Sequence, residues 1–401
     1  MGSDAATDQG ISGRRNAGRE RLRTLAMEDP ALADTLAALW NPDDFAARLG
    51  EAAARLGLDL GAGEISELTR LGPQDAPLPI DPPRGWLPAR VAGEGGDARV
   101  AWAWFGERRL LEPFYEESLA AVAYAPFNRL FGFSTRLAEL APPPEATRPA
   151  GLVFHMSRCG STLVAQMLAA LEGAVVVSEA PPIDAVVRMD TAAVGLDAAG
   201  HARLLRAMVG AFGRPRHRTH DGGTRFFLKL DSWHARALPL FRRAFPATPW
   251  IFLIRDPVEV LVSHLRRPGM QTAGLLPAEV TGVEWEASGS PYAAAALAGI
   301  CEAAEQGFGA GGGLVVDYAE LPEALGARVL PHFGVTPSEA DGHAMAAAAG
   351  RDAKQPANAF APDARAKQAA ATPAVRAVAA GRLADAYACL DALRPASARS
   401  G

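Results

Sequence analysis

GLVFHMSRCGSTLVAQMLAAL, residues 151–171, reads as a strand, a tight polar loop and a helix. Leu152, Val153 and Phe154 form an apolar run suited to a buried strand. Leu163, Met167, Leu168 and Leu171 then recur at helical spacing. A small-residue loop between such elements leaves backbone N–H groups free at a helix N-terminus, where they attract an anion. Gly160 allows close backbone approach, and Arg158 adds a planar fork of donors. The Ser161 and Thr162 hydroxyls offer further hydrogen bonds to phosphate or sulfate oxygens. The loop is not that of a standard ATPase. In the G-x4-G-K-[ST] pattern aligned on Gly160, His155 takes the upstream glycine position and Ser161 that of the lysine.

Outward from this stretch, from about Arg148, strands and helices alternate. Ala174–Val177, Phe226–Leu230, Pro249–Ile254 and Leu314–Val316 are short apolar runs, with helical patterns over Asp197–Phe212 and from Ser232 to about Phe245. The alternation predicts an α/β fold, a parallel sheet flanked by helices in three layers. Ligands of such sheets bind at the carboxyl ends of the strands. Arg158, Glu179, Lys229 and Arg255 each fall at such an end, a set suited to an anionic ligand and a base. The stretch 254–264, IRDPVEVLVSH, adds Asp256 as a natural N-cap and Pro257 as a natural first helical residue. This places Arg255 at a strand–helix junction and Ser263 about two turns into the helix.

Together the two stretches resemble the sulfotransferases that use 3′-phosphoadenosine-5′-phosphosulfate, PAPS. Arg158-Cys159-Gly160-Ser161-Thr162 is similar to their 5′-phosphosulfate loop, with Cys159 departing from the usual Ser or Thr. Arg255-Asp256-Pro257 and Ser263 are similar to their 3′-phosphate motif, R-(N/D)-P-x5-S, about 90 residues further on. The resemblance covers about residues 148–360. It implies the P-loop NTPase-like sulfotransferase fold, with Arg255 and Ser263 gripping a ribose 3′-phosphate. It also implies Lys229 as the charge on the leaving oxygen and Arg158 on the 5′ side. For the base it offers Glu179, where protein-tyrosine and some carbohydrate sulfotransferases carry a Glu, and Asp231, where cytosolic ones place a His. Glu179 is preferred. His155, just upstream of the loop, reads as a structural hydrogen-bonder. Val315–Leu321 is similar to the family's late strand and Y-x-x-L segment, with a helix expected from Pro322 to Phe333. Arg351 and Lys354 stand where the family has a basic loop over the nucleotide, though its G-x-x-G-x-x-K form is absent. The alternatives are a P-loop kinase or NTPase, and a non-catalytic nucleotide-binding protein on the same scaffold. The missing loop lysine and the Arg255–Ser263 pair argue against the first. No metal is expected, since the eight histidines show no H-x-x-x-H pair.

The chain has 401 residues, enough for one large domain plus a smaller one. Three parts are expected: a tail and small helical region over 1–82, a small α+β segment over 83–145, and a catalytic domain over 146–401. Asn41-Pro42-Asp43-Asp44 opens a helix whose Phe45, Leu49, Ala53 and Leu56 share a face. Trp102 and Trp104 share one face of a strand. A net charge of -5 argues against a nucleic-acid partner. The N-terminus lacks a secretory h-region, and no run of about 18 apolar residues marks a transmembrane anchor. Cys159, Cys301 and Cys389 are three and far apart, which fits a reducing cytoplasm rather than a disulfide framework. Residues 267–290 show no periodicity and read either as a lid or acceptor-binding segment or as a disordered surface loop. The acceptor stays open among small metabolites, sugars, lipids and peptides, and so does the oligomeric state.

Overall fold

The computed structural model describes residues 20–394, apart from Met27, Leu56, 58–60, 72–81, 144–146, 215–224, 285–288 and Pro356. Residues 1–19 and 72–81 of the expected N-terminal region, and 144–146 at the expected boundary of the catalytic domain, lie outside the described residues. The chain divides into two compact units, residues 1–108 with 116–143, and residues 109–115 with 144–401.

The first unit combines helices with a three-stranded antiparallel sheet, β1 (Trp86–Ala92), β2 (Arg99–Trp104) and β3 (Phe133–Arg136), in the order β1-β2-β3. The Pro42–Arg55 helix starts where the sequence predicts. The Asn41 side chain accepts from the Asp43 and Asp44 amides at 2.8 and 3.3 Å, and Phe45, Leu49 and Ala53 are buried. Trp86, Trp104, Phe127 and Phe133 form one aromatic cluster, with the Trp86 and Phe133 rings 4.8 Å apart. Trp102 and Trp104 are both buried. The Trp102 indole donates to the Thr135 hydroxyl at 3.0 Å, and the Asn128 side chain bonds both the N–H and the C=O of Trp104. The aromatic stripe is therefore core.

The second unit holds five parallel strands: β4 (Gly151–His155), β5 (Ala174–Ser178), β6 (Arg225–Lys229), β7 (Trp250–Ile254) and β8 (Gly313–Asp317). Their order is β5-β6-β4-β7-β8, so the first strand of the unit is central. All residues of β4, β5 and β7 are buried, which explains why they read as unbroken apolar runs rather than alternating ones. A parallel sheet flanked by helices, with a loop-to-helix turn after its central strand, is the P-loop-like arrangement expected.

Two expectations are corrected. The helix expected from Ser232 is a 3-10 segment, Ser232–Ala237, followed by a separate α-helix, Leu238–Ala244. Asp231 stands at the cap position of the 3-10 segment. Pro239 has no N–H to give an i−4 partner, so it fits a first turn and starts a new helix there. Within 267–290, Met270–Thr272 and Ala278–Thr281 are short helical turns rather than irregular loop. His264 pins the first of them. Its Nδ1 lies 2.9 Å from the Thr272 hydroxyl and accepts from the Gly269 amide at 3.2 Å. Side-chain bonds of this kind leave no trace in periodicity. The Leu325–Val329 segment, in the helix expected over Pro322–Phe333, is π-helical.

Candidate active site

The loop after β4 is wound by left-handed residues. Ser157, Arg158 and Gly160 have φ of 79°, 54° and 85°. Non-glycine residues in that region carry about 1–3 kcal/mol of strain each and cluster at functional sites. Gly160 is the N-cap of the Ser161–Ala170 helix and supplies no side-chain cap, so the first N–H groups have none from that position. A second constraint acts on Gly160. A Cβ there would lie 2.8 Å from the Tyr318 ring and 2.9 Å from Leu321. Close approach of the Y-x-x-L segment thus demands glycine even without a ligand.

Arg158 through Leu163 line an open cleft of about 240 Å³, together with Arg255, Ser263, Tyr318, Lys354, Phe360, Asp363 and Lys367. At about 30 Å³ per water molecule, it has room for a phosphate-sized anion several times over. The two sequence motifs, far apart in the chain, therefore face one cavity. Asp352 and Ala353 also line it, whereas Arg351 does not; Arg351 is exposed and pairs with Ala359 in an isolated bridge.

Glu179 and Lys229 meet at the adjoining ends of β5 and β6. They form an ion pair, with the Lys229 side chain 1% exposed and that of Glu179 24%. Glu179 has a φ of 50°, a left-handed turn that closes the strand. The Lys229 ammonium lies 4.9 Å and that of Lys354 5.8 Å from the centre of the Phe114 ring, so one aromatic ring serves both cations. His155 sits beside the pair, its Nε2 3.4 Å from Glu179 Oε1. Its Nδ1 accepts from the Ser157 amide at 3.1 Å and its Nε2 is 2.9 Å from the Leu230 carbonyl. Burial, partly opposed by Glu179, pushes the imidazole below its usual value. A neutral ring with Nε2–H donating satisfies both contacts, which is the structural role expected of it.

Asp231 lies elsewhere. It is buried and its Oδ2 is 3.8 Å from His234 Nε2; like Glu179 and Lys229, it is not among the residues that line the cleft. Asp184 completes this cluster. Its Oδ1 takes the Trp233 indole at 2.7 Å and lies 2.9 Å from His234 Nε2, and its Oδ2 takes Arg188 at 3.1 Å. Asp184, Asp231 and His234 are close enough to hold a metal ion, but the Asp184 oxygens are already committed to these donors.

The charges around the cleft show what it lacks. Burial pushes Glu179 up, but Lys229 and then His155 outweigh it and hold the carboxyl well below the usual carboxylate range. Arg158 is lowered by burial and then by Arg267, and its Nη2 donates to the Arg267 carbonyl at 2.6 Å. Lys354 is lowered to about 8, by loss of solvent first and then by Arg158 and Lys229. Its side chain is still exposed, which screens the effect. Cations that push on one another across a cleft attract an anion, which would relieve them. Cys159 is buried and its thiol is pushed up to about 12, by burial above all, so it is a packing residue rather than a nucleophile.

One prediction arises here. Below about pH 8 Lys354 carries its charge and adds to the positive potential of the cleft; above it the ammonium, and any attraction it exerts on an anion, is lost. A bound anion raises the Lys354 pKa, so affinity falls from about pH 8 up to the higher value of the complex. Affinity for 3′,5′-ADP measured from about pH 7 to pH 9.5 should decline in the wild type, and Lys354→Met should flatten the decline.

Residues 152–336 match the model of the sulfotransferase family. Among solved structures the chain is similar to a sulfotransferase from Alicyclobacillus acidocaldarius, at 16% identity over 63% of this chain and 99% of that one, with a TM-score of 0.37. It is also similar to the sulfotransferase domain from the Synechococcus PCC 7002 olefin synthase, at 14% identity over 63% of this chain and 96% of that one, with a TM-score of 0.36. Superpositions this loose carry no weight. No curated protein matches the chain in sequence. Among the described residues no helix is long and apolar enough to cross a membrane.

Phe114, Phe360, Asp363 and Lys367 escape sequence reasoning. Phe114 lies in Leu111–Tyr115, which reads as the start of a helix and carries no motif. Asp363 and Lys367 read as an ordinary i,i+4 charge pair on an Ala-rich helix, and only the fold brings them to Arg255, more than 100 residues upstream.

Proposed function

We propose that this chain is a PAPS-dependent sulfotransferase of the cytoplasm, acting on an acceptor hydroxyl or amine and leaving 3′,5′-ADP. The observation that carries the reading is the shared cleft, with the Arg158–Thr162 loop on one side and Arg255 and Ser263 on the other. The residues fit the donor. Its 5′ side would lie against Arg158, Ser161, Thr162 and the helix N-terminus, within reach of Lys354. Its 3′-phosphate would lie against Arg255 and Ser263. Phe360, an aromatic residue 39% exposed at the cleft, is suited to stack on a base, worth about 1–3 kcal/mol.

When bound, PAPS supplies the sulfuryl group and a phosphate as its leaving group. The protein's part is electrostatic and protonic. Lys229 brings a buried ammonium toward the leaving oxygen, where negative charge develops. Glu179 takes the acceptor proton on a carboxylate oxygen. The ion pair couples the two roles. While Lys229 is held by Glu179 the carboxylate is a weak base; as the ammonium turns to the leaving oxygen, the carboxylate loses its partner and its basicity rises.

A nucleotide panel by thermal shift tests the reading. 3′,5′-ADP should stabilise the protein, and ADP or ATP with magnesium should do so far less. Equal shifts with ATP would replace the sulfotransferase reading by a kinase or NTPase.

A further inference from the structure

The Arg255 guanidinium is not left open in the cleft. It lies over the Tyr318 ring, 3.8 Å from its centre, and its Nε donates to Glu259 Oε2 at 2.8 Å. Its Nη2 lies 2.6 Å from Asp363 Oδ1, and the other oxygen of that carboxylate, Oδ2, takes the Lys367 ammonium at 2.7 Å. One carboxylate thus bridges two cations, each on its own oxygen, as two oxygens of a phosphate would. The exposures are unequal. The Arg255 and Lys367 side chains are 5% and 8% exposed, that of Asp363 46%. Asp363 also stands at the N-cap of the Ala364–Ala370 helix, yet its side chain makes no capping bond. The group is spent on the cations instead of on the helix end, where an Asp ordinarily serves. Arg255, Asp363, Lys367 and Ser263 all line the same cleft.

We propose that Asp363 is a built-in counter-anion that holds Arg255 and Lys367 in the absence of nucleotide and yields them to the 3′-phosphate, so that Lys367 joins Arg255 and Ser263 in reading it. The proposal rests on the PAPS reading given above. Its physical basis is the imbalance of burial. Two cations out of water are costly unless anions compensate them; of the two, Glu259 serves Arg255 alone, through Nε and Nη2, so Lys367 and the outer edge of Arg255 need a second anion. A phosphomonoester brings about -1.5 to -2 of charge and three acceptor oxygens, against one charge and two oxygens for a carboxylate. The half-exposed Asp363 recovers its hydration as it leaves, whereas neither cation can follow it into water. Burial lowers the Lys367 ammonium even with Asp363 beside it, which leaves it short of negative charge. Displacement has two consequences. Apparent affinity is reduced by the work of moving Asp363. A nucleotide without a 3′-phosphate has no group to displace it with, so Asp363 sharpens the choice of nucleotide.

The test compares 3′,5′-ADP with 5′-AMP by calorimetric titration at fixed low salt on the wild type, Asp363→Asn and Lys367→Met. Asp363→Asn should bind 3′,5′-ADP about tenfold tighter with 5′-AMP unchanged, while its melting temperature without nucleotide falls. Lys367→Met should bind 3′,5′-ADP about tenfold or more weaker, again with 5′-AMP unchanged. A merely structural ion pair would lower the melting temperature of Asp363→Asn with no gain in affinity. That result, in a protein whose wild type prefers 3′,5′-ADP, overturns the proposal and leaves the PAPS reading standing. If the wild type shows no preference, the PAPS reading falls and takes the proposal with it. Should Lys367→Met fail to fold, Asp363→Asn and Asp363→Ala decide alone, because their side chain is half in solvent.

Discussion

Glu179→Gln is expected to lower turnover about 100- to 10,000-fold, the usual contribution of a positioned general base, with little change in 3′,5′-ADP affinity. The amide keeps the shape of the side chain and one oxygen to accept from Lys229, but it cannot take a proton. The geometry gives Glu179 few other duties. It ends β5 in a left-handed conformation, and its side chain faces the Lys229 ammonium and lies 3.4 Å from His155 Nε2. Some loss of stability should accompany the substitution, because the 1%-exposed Lys229 loses its counter-charge; melting temperature separates that effect from turnover. The pH dependence follows from the depressed pKa. A carboxyl held below the usual range stays ionised through mildly acidic pH, so Glu179 contributes no fall in kcat/KM, which reports the free enzyme, as pH drops from about 7 to 5. The competing outcome is Asp231→Asn abolishing transfer while Glu179→Gln leaves it, which would move the base to the Asp231–His234 cluster. Until an acceptor is in hand, slow PAPS hydrolysis to 3′,5′-ADP reports the same deprotonation, with water as nucleophile.

Much of the second unit was legible because burial on both faces makes a parallel strand locally conspicuous. What marks β5 is Val175, Val176 and Val177 following Ala174, and what marks β7 is the run from Trp250 to Ile254, all buried. The Asp256–Pro257 helix start was equally local: Asp256 Oδ1 accepts from the Glu259 amide at 3.1 Å, as a cap residue should. The failures share a different cause. The 3-10 segment at Ser232, the His264–Thr272 tether and the Tyr318 ring against Gly160 depend on partners that spacing cannot supply. Asp363 and Lys367 are the extreme case. Their sequence neighbourhood is that of a solvated helix, and their part in the cleft exists only through Arg255. Lys229 and Glu179 fall between: each was marked by its strand end, but their direct pairing, and the weak basicity it imposes on Glu179, required the adjacency of β5 and β6.

Arg255→Ala should weaken 3′,5′-ADP binding roughly ten- to a hundred-fold or more, because a charge-assisted phosphate contact is worth on the order of 1.5–3 kcal/mol. Binding of 5′-AMP should change little, and that contrast is what makes the experiment specific to the 3′-phosphate. The guanidinium also has partners inside the protein, so the substitution cannot be silent for the fold. It strips Glu259 Oε2 and Asp363 Oδ1 of a donor and empties the space over the Tyr318 ring. Leaving a buried carboxylate uncompensated destabilises, and Glu259 is the more buried of the two, at 11% side-chain exposure against 46% for Asp363. A lower melting temperature is therefore expected alongside the loss of affinity. Arg255→Lys divides the two effects. It keeps a positive charge near both carboxylates but loses the planar fork and the stacking on Tyr318, so stability should recover more than phosphate affinity does. Normal 3′,5′-ADP binding by a folded Arg255→Ala protein would place the 3′-phosphate elsewhere and remove the ground for reading this cleft as a PAPS site.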